Sequence, residues 1–222
     1  KTQWPVPHKT FSWDLGSFEY SDEVILLVPL TIAATVPTGD LSLKADLTWL
    51  ECETDGACVP GAGNISGTLK IGDLAQPSAA GAELVKWRKR LPATKPDVNL
   101  VARWADPAKE NERNIVLEWP TTAKTNDFFA YHHGNDWQIG PQHKPISATP
   151  GKFAVEKVVK LCEGEWPTHI TGLVVNLDQD PKHPSAIEVS AAIQSEVAPT
   201  SPSATLTGMR AGAFGFGAGF GA

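Results

Sequence analysis

The amino-acid sequence predicts an all-β chain that carries one notable helix. Many short segments have apolar residues at every second position and are bounded by Pro, Gly, Asn or Asp, which is typical of strands. Residues 79–91 instead show the 3.6-residue period of a helix. The 222 residues suit one large or two small domains, and a hydrophobic share of 41% is ordinary for a globular protein.

Charge and cysteine content narrow the function classes. Basic residues are scattered and the net charge is −6, so we expect no nucleic-acid partner. Three cysteines are too few for a disulfide-built scaffold, and the odd one, Cys162, must be free, buried or paired with another chain. No apolar run follows the first four residues, so no signal peptide is visible.

The clearest strands flank a pair of cysteines. Apolar residues alternate with polar ones over residues 41–49, and again over residues 65–71. Cys52 and Cys58 lie between these strands, with Asp55-Gly56 as turn residues. We predict a disulfide at a hairpin tip; the Cα separation across a disulfide is usually about 4.4–6.8 Å. From the residues alone, the pair is a structural staple, half of a metal site or a redox couple.

A wider resemblance bears on these alternatives. Four motifs stand in order: WPVP at residues 4–7, YSDEVILLVP at residues 20–29, WLEC at residues 49–52 and CVPG at residues 58–61. This run resembles the N-terminal periplasmic domain of the thiol:disulfide interchange protein DsbD family. The match covers about residues 4–74, and its specific part is the cysteine pair followed by Val-Pro-Gly.

The resemblance implies a fold and a chemistry. Residues 1–75 would form an immunoglobulin-like β-sandwich, whose first strands are missing from this sequence, with Cys52 and Cys58 as the catalytic pair. Cys58 would form the mixed disulfide and Cys52 would resolve it. The chain would be a protein-disulfide reductase on the periplasmic side of the bacterial inner membrane, with no cofactor and no metal. Electrons would pass from a membrane-embedded domain of the same protein to thioredoxin-like or disulfide-isomerase-like partners.

The aromatic side chains near the N-terminus can be interpreted in two ways. They either pack in the hydrophobic core or form a cap over the disulfide. In the resembling family, a loop that carries an aromatic residue covers the disulfide and opens for a partner. The cap candidates here are Trp13, Phe18 and Tyr20.

The other elements predicted before residue 99 are a buried strand, a turn, and a helix with a linker. Residues 23–32 read as a buried strand with Pro29 at an edge or bulge, and residues 33–40 as a turn. Residues 76–98 hold the helix and a linker, with Ser78 as N-cap and Pro92 as the stop.

Residues 99–195 predict a second β-sandwich-like unit. Its strands are expected at residues 100–104, 114–119, 127–131, 152–162, 170–177 and 186–193. Cys162 ends one of them, and we expect an unpaired thiol of low reactivity. Residues 196–222 are a Pro/Ser/Thr-rich linker and a Gly/Phe-rich tail, read as the start of a membrane segment or a disordered end.

Two other function classes stay open at the level of sequence. One is a non-catalytic cell-envelope interaction module in which the Cys52–Cys58 disulfide is only structural. The other is a metal-handling ectodomain linked to copper tolerance. A redox titration of the pair separates the catalytic role from the structural one, because structural disulfides have lower reduction potentials.

Overall fold

The computed structural model describes residues 1–12, 15–53, 56–95, 98–131, 134–178 and 180–195. Strands dominate this part of the chain, which holds one α-helix, so the all-β prediction is confirmed. The N-terminal strands β1 (His8–Ser12) and β2 (Leu15–Glu19) pair antiparallel. A second antiparallel pair follows, formed by the long strands β3 (Gly39–Cys52) and β4 (Cys58–Ile71).

The helix and the remaining strands occupy residues 81–194. Helix α1 spans Gly81–Arg88 and lies within the predicted segment. The strands are β5 (Ala93–Thr94), β6 (Val101–Trp104), β7 (Glu112–Pro120), β8 (Asn126–Ala130), β9 (Trp137–Ile139), β10 (Lys144–Ile146), β11 (Lys152–Leu161), β12 (His169–Asn176) and β13 (Ser185–Gln194). All six strands predicted for the second unit are present, and β5, β9 and β10 add to them.

These nine strands form one sheet. Its main path runs in the order β10-β11-β7-β6-β13-β12-β8, with β5 paired to β13 and β9 paired to β11. The pairs β6–β13 and β5–β13 are parallel and the others are antiparallel. Because β8 at one end of this order also approaches β11 near the other end, the sheet is nearly closed. The expected second unit is therefore a single curled sheet and not two separate sheets.

Alternating side chains give this sheet two apolar faces. The inner face is filled by large side chains such as Ile115, Leu117 and Trp119, which are fully buried on β7. On the outer face, Phe129 of β8 packs in a second cluster that includes Val6 from the N-terminal segment. Burial of such side chains contributes about 1.5–3 kcal/mol each to folding. The core of the described chain therefore lies in and on this sheet.

The β1–β2 hairpin docks on the outer face of the sheet. The Phe18 ring packs against the Phe129 ring at a centroid distance of 4.7 Å. The backbone of Gly16 approaches Pro141 so closely that a Cβ atom would overlap the proline ring. On the neighbouring strand, Lys9 forms an ion pair with Asp127. Apolar contact and charge thus hold the N-terminal hairpin to β8.

The expected immunoglobulin-like sandwich of residues 1–75 is not seen in the described strands. β1 pairs with β2 and β3 pairs with β4, and each pair is a separate two-stranded sheet. A sandwich needs two stacked sheets of several strands. The described part of residues 1–75 supplies two separate hairpins instead.

The prediction of a buried strand at residues 23–32 is wrong. Among the described residues, this segment makes only one isolated bridge, between Leu27 and Gln3. Leu27 is buried, whereas Val28 and Leu30 are 57% and 55% exposed. A strand needs a partner that satisfies its backbone groups, and the apolar run here lacks one.

Helix α1 also differs in detail from its prediction. Its N-cap is Ala80 and not Ser78, although the Ser78 hydroxyl accepts a hydrogen bond from the Ala80 amide at 3.2 Å. Trp87 is buried, while Leu84 is 38% exposed. The helix therefore docks through a single large anchor.

Candidate functional site

The candidate site is the tip of the β3–β4 hairpin. Cys52 and Cys58 are the last directly opposed pair of the two strands and form a disulfide with a Cα–Cα distance of 4.0 Å. This confirms the predicted pairing and its place at a hairpin tip. Both cysteines are exposed, so the disulfide is open to another molecule.

The hairpin that carries the disulfide is amphipathic. Its strands stay in register from Gly39 opposite Ile71 to the disulfide, without a bulge. Since directly opposed residues share a face, one face is mainly apolar, with pairs such as Leu41–Leu69 and Ala45–Ile65. The other face carries polar pairs and ends in the disulfide. Strands of this length place the tip far from the strand ends where the hairpin begins.

A glycine allows Trp49 to lie across the apolar face near the tip. Trp49 stands opposite Gly61, and a Cβ atom on Gly61 would lie 2.5 Å from Trp49 Nε1. A Cβ atom on Gly63 would lie 3.6 Å from the same ring. Such coverage of strand glycines by an aromatic ring offsets the packing that a glycine lacks. Packing of the Trp49 ring over Gly61 and Gly63 therefore orders the part of the hairpin near the tip, called here the upper hairpin.

Exposed apolar side chains lie near the tip on both faces of the hairpin. Leu50 and Val59 are both 63% exposed, and Trp49 is 50% exposed. Leu50 is paired with Pro60 on the face that carries the disulfide. An exposed cluster of this kind is typical of a surface that contacts another protein.

The turn at the tip is closed by backbone hydrogen bonds. The Glu53 amide donates to the Ala57 carbonyl at 3.3 Å, and the Gly56 amide donates to the Glu53 carbonyl at 3.1 Å. A Cβ atom on Gly56 would lie 2.5 Å from Glu53 Cβ, so a larger residue at this position would force Glu53 to move. Two carboxylates, Glu51 and Glu53, flank Cys52 in the sequence and are exposed.

The structure describes two of the three cap candidates, Phe18 and Tyr20. Phe18 packs on Phe129, as described above. Tyr20 stacks on Trp4 at 6.4 Å and donates its hydroxyl hydrogen bond to the Pro5 carbonyl at 2.7 Å. Burial raises the pKa of Tyr20 to about 12, so this phenol stays a donor at neutral pH. Trp13 lies outside the described residues.

Cys162 is separate from the disulfide. It follows β11, is exposed and unpaired, and its amide donates to the Asp136 carbonyl at 2.7 Å. The part of the chain that the structure describes contains no group of three or more His, Cys, Asp or Glu side chains placed to hold a metal ion.

Sequence reasoning missed a buried ion cluster around Asp127. This carboxylate is fully buried; Lys157 Nζ lies 3.1 Å from Oδ1 and His143 Nδ1 lies 3.3 Å from Oδ2. Lys9 also binds Asp127 and donates to the Pro141 carbonyl at 3.0 Å. Burial lowers the pKa of Lys157 and of His143. The cluster joins β1, β8, β11 and the segment before β10 at the point where the sheet nearly closes.

One signal in the sequence could have indicated this cluster. Lys157 stands between Val155 and Val159 on one face of β11, and all three are buried. A lysine on a core face needs a buried partner, because an unpaired charge is costly there.

Comparison with known proteins gives no relative for this chain. No protein-family model, curated protein or solved structure matches it. None of the described helices has the length and apolar character needed to cross a membrane.

Proposed function

We propose that the chain is a thiol–disulfide exchange domain that works through a reversible Cys52–Cys58 disulfide. The observation that supports this is the position of the disulfide: exposed, and at the end of a hairpin that pairs with no other described strand. Closing so short a loop stabilises a chain by about 2 kcal/mol in the chain-entropy estimate. Here the disulfide would stabilise mainly the hairpin. The backbone hydrogen bonds between β3 and β4 already hold that hairpin in register.

The exchange would follow the usual two-thiol sequence. In the reduced pair, the Cys58 thiolate attacks one sulfur of a partner disulfide, and the partner's other sulfur leaves as a thiolate. The Cys52 thiolate then attacks Cys58 Sγ, releases the partner's first sulfur as a thiolate and re-forms the chain's disulfide. The partner gains two electrons and the chain loses two. The assignment of Cys58 as the partner-facing sulfur rests on the resemblance to the DsbD family.

The proposal includes a source and a recipient of electrons. A membrane-embedded reductase domain of the same protein would reduce the pair, on the periplasmic side of the bacterial inner membrane. A thioredoxin-like or disulfide-isomerase-like protein would be the partner. The exposed Leu50 side chain supplies apolar contact surface on the face of the disulfide, and Trp49 and Val59 supply it on the opposite face near the tip.

The same proposal includes an immunoglobulin-like sandwich around the hairpin. The apolar face with Leu41, Leu43 and Leu47 is only partly covered. A second sheet stacked on that face would bury it, as in a β-sandwich. The segment at residues 23–32 has exposed apolar side chains that could contribute to that burial.

Shielding of the disulfide by Trp13, Phe18 or Tyr20 stays a prediction. If Phe18 shields the sulfurs, alanine at this position speeds reduction of the disulfide by dithiothreitol. The Leu84→Ala variant, altered on the exposed side of α1, is the control. An unchanged rate for the Phe18 variant contradicts a shielding role for this residue.

A redox titration tests the proposal. We expect the Cys52–Cys58 pair to equilibrate with glutathione buffers between about −180 and −270 mV, whereas structural disulfides usually lie below about −300 mV. Mass spectrometry after alkylation counts the free thiols at each potential. A midpoint below about −300 mV favours the structural disulfide of an interaction module.

Trapping experiments assign the two sulfurs. With an oxidised thioredoxin-like protein, the Cys52→Ser variant accumulates a mixed disulfide on non-reducing electrophoresis, and Cys58→Ser traps none. Cys162→Ser is the matched control and behaves as the parent chain. If neither single variant traps a partner, the exchange proposal fails.

A further inference from the structure

β3 is an edge strand in the described part of the chain. Among the described residues, β3 pairs only with β4, which leaves the backbone groups on its other side without a strand partner. Edge strands are usually kept apart by shortness, proline, bulges or many charges. β3 is 14 residues long, contains no proline and keeps a continuous register with β4; its charged residues are of both signs, so that they can pair with each other across a second copy. Such an edge is a template for pairing with another strand.

The sequence of β3 is complementary to itself in antiparallel pairing. If a two-fold axis passes through Ala45, Lys44 lies opposite Asp46 of the second copy, and Asp46 opposite Lys44. The same axis puts Leu43 opposite Leu47 and Leu41 opposite Trp49. Opposite charges and apolar pairs that face each other across strands stabilise a sheet.

We propose that two copies of this chain pair through the outer edges of β3, with the two-fold axis at Ala45. The paired strands run from Gly39 to Glu51 and form a four-stranded sheet β4-β3-β3-β4. The interface is isologous, since each copy offers the same edge. The two hairpin tips, with their disulfides, point to opposite ends of this sheet.

Other registers of β3 with itself are less favourable. An axis through Lys44 or Asp46 places that charge opposite its own copy. An axis through Leu43 places Asp40 opposite Asp46. Shifts by one residue within the pairing turn the apolar side chains of one copy toward the polar face of the other. An axis through Ser42 pairs Lys44 with Asp40 but covers only residues 39–45.

The edge of β4 does not offer the same match. Lys70 is the only charged residue on β4, so self-pairing brings no opposite charges together. Pro60 lacks a backbone N–H and weakens any ladder near the tip. The edge of β3 is also distinct from the apolar face that the proposed sandwich would cover, so the two proposals stand independently.

Charge reversal at the axis tests the pairing. All variants carry Cys162→Ser, so that the exposed thiol forms no link between copies. Lys44→Asp faces Asp46 of the second copy with a like charge, and Asp46→Lys faces Lys44 with one. We expect each single variant to raise the dimer dissociation constant about tenfold or more in sedimentation equilibrium at low salt.

Restoring opposite charges across the interface distinguishes a loss of this contact from a general loss of structure. The Lys44→Asp/Asp46→Lys double variant restores opposite charges, and we expect its dissociation constant to return to within about threefold of the parent value. An equimolar mixture of the two single variants should form heterodimers, because two aspartates of one copy then face two lysines of the other. Asp73→Lys and Lys95→Asp are charge-matched controls on exposed positions outside β3.

Three outcomes overturn the proposal. One is a parent chain that stays monomeric at about 100 μM, a concentration at which weak specific dimers form. The second is dimerisation that neither single variant weakens. The third is a mixture of single variants without heterodimers while circular dichroism shows both folded. Asp46 also accepts a hydrogen bond from Asn64 within the hairpin, so Lys44→Asp carries the test if Asp46→Lys unfolds the hairpin.

Discussion

Replacing Asp127 by asparagine tests the role of the buried ion cluster. The substitution keeps the size of the side chain, so no cavity forms and the loss is electrostatic. Lys157 is 3% exposed and the Lys9 side chain is 8% exposed. Without the carboxylate, these two ammonium groups lose the counter-charge that binds both of them.

The expected loss follows from this burial. Removing one partner of a buried ion pair costs about 3–5 kcal/mol, because the remaining charge is left uncompensated. A domain typically has a free energy of unfolding of about 5–15 kcal/mol. Asp127→Asn therefore removes a large share of the stability of the nine-stranded sheet, and the N-terminal hairpin loses the ion pair of Lys9.

Urea unfolding followed by far-ultraviolet circular dichroism measures this loss. Asp73→Asn makes the same chemical change at an exposed position and should shift the midpoint little. The double variant Asp127→Asn/Lys157→Met removes an unpaired cation and should recover part of the stability. A loss below about 1 kcal/mol for Asp127→Asn would show that the ammonium groups stay hydrated, and the reasoning from burial would be refuted.

Two further predictions concern pH and the hairpin. Burial and the nearby lysines lower the pKa of His143 below 6.5. Between this lowered pKa and about pH 6.5, the unfolded chain therefore binds more protons than the folded chain. The free energy of unfolding should rise with pH up to about 6.5 and fall on acidification. Urea midpoints between about pH 5 and 7.5 should show a smaller slope for His143→Gln, and an equal slope would contradict the assignment. Gly61→Ala should displace the Trp49 ring and speed amide hydrogen exchange in the upper hairpin, whereas Gly67→Ala, with open space around its Cβ position, should not. Equal exchange in the two glycine variants would show that the ring gives no order to the tip.

Much of the strand content could be predicted from the sequence, because local alternation is a direct record of which side chains share a face. The predicted strand at 152–162 corresponds to β11 at Lys152–Leu161, and the one at 114–119 lies within β7. The disulfide could also be predicted, since two cysteines next to a turn between paired strands are brought together by the hairpin itself.

Whether an apolar face is covered depends on the folded arrangement of the whole chain. Residues 23–32 and β3 carry apolar side chains comparable to those of β11, yet the first two stay largely exposed and β11 is buried. Pattern alone does not state whether a second layer exists for a given face, since that depends on residues far away in the chain. The cluster around Asp127 could not be predicted for the same reason. Asp127 contacts Lys157, which lies 30 positions later in the sequence, and Lys9, which lies 118 positions earlier. Its members become neighbours only when the sheet curls until β8 approaches β11, and that curvature is set by the packing of the whole core.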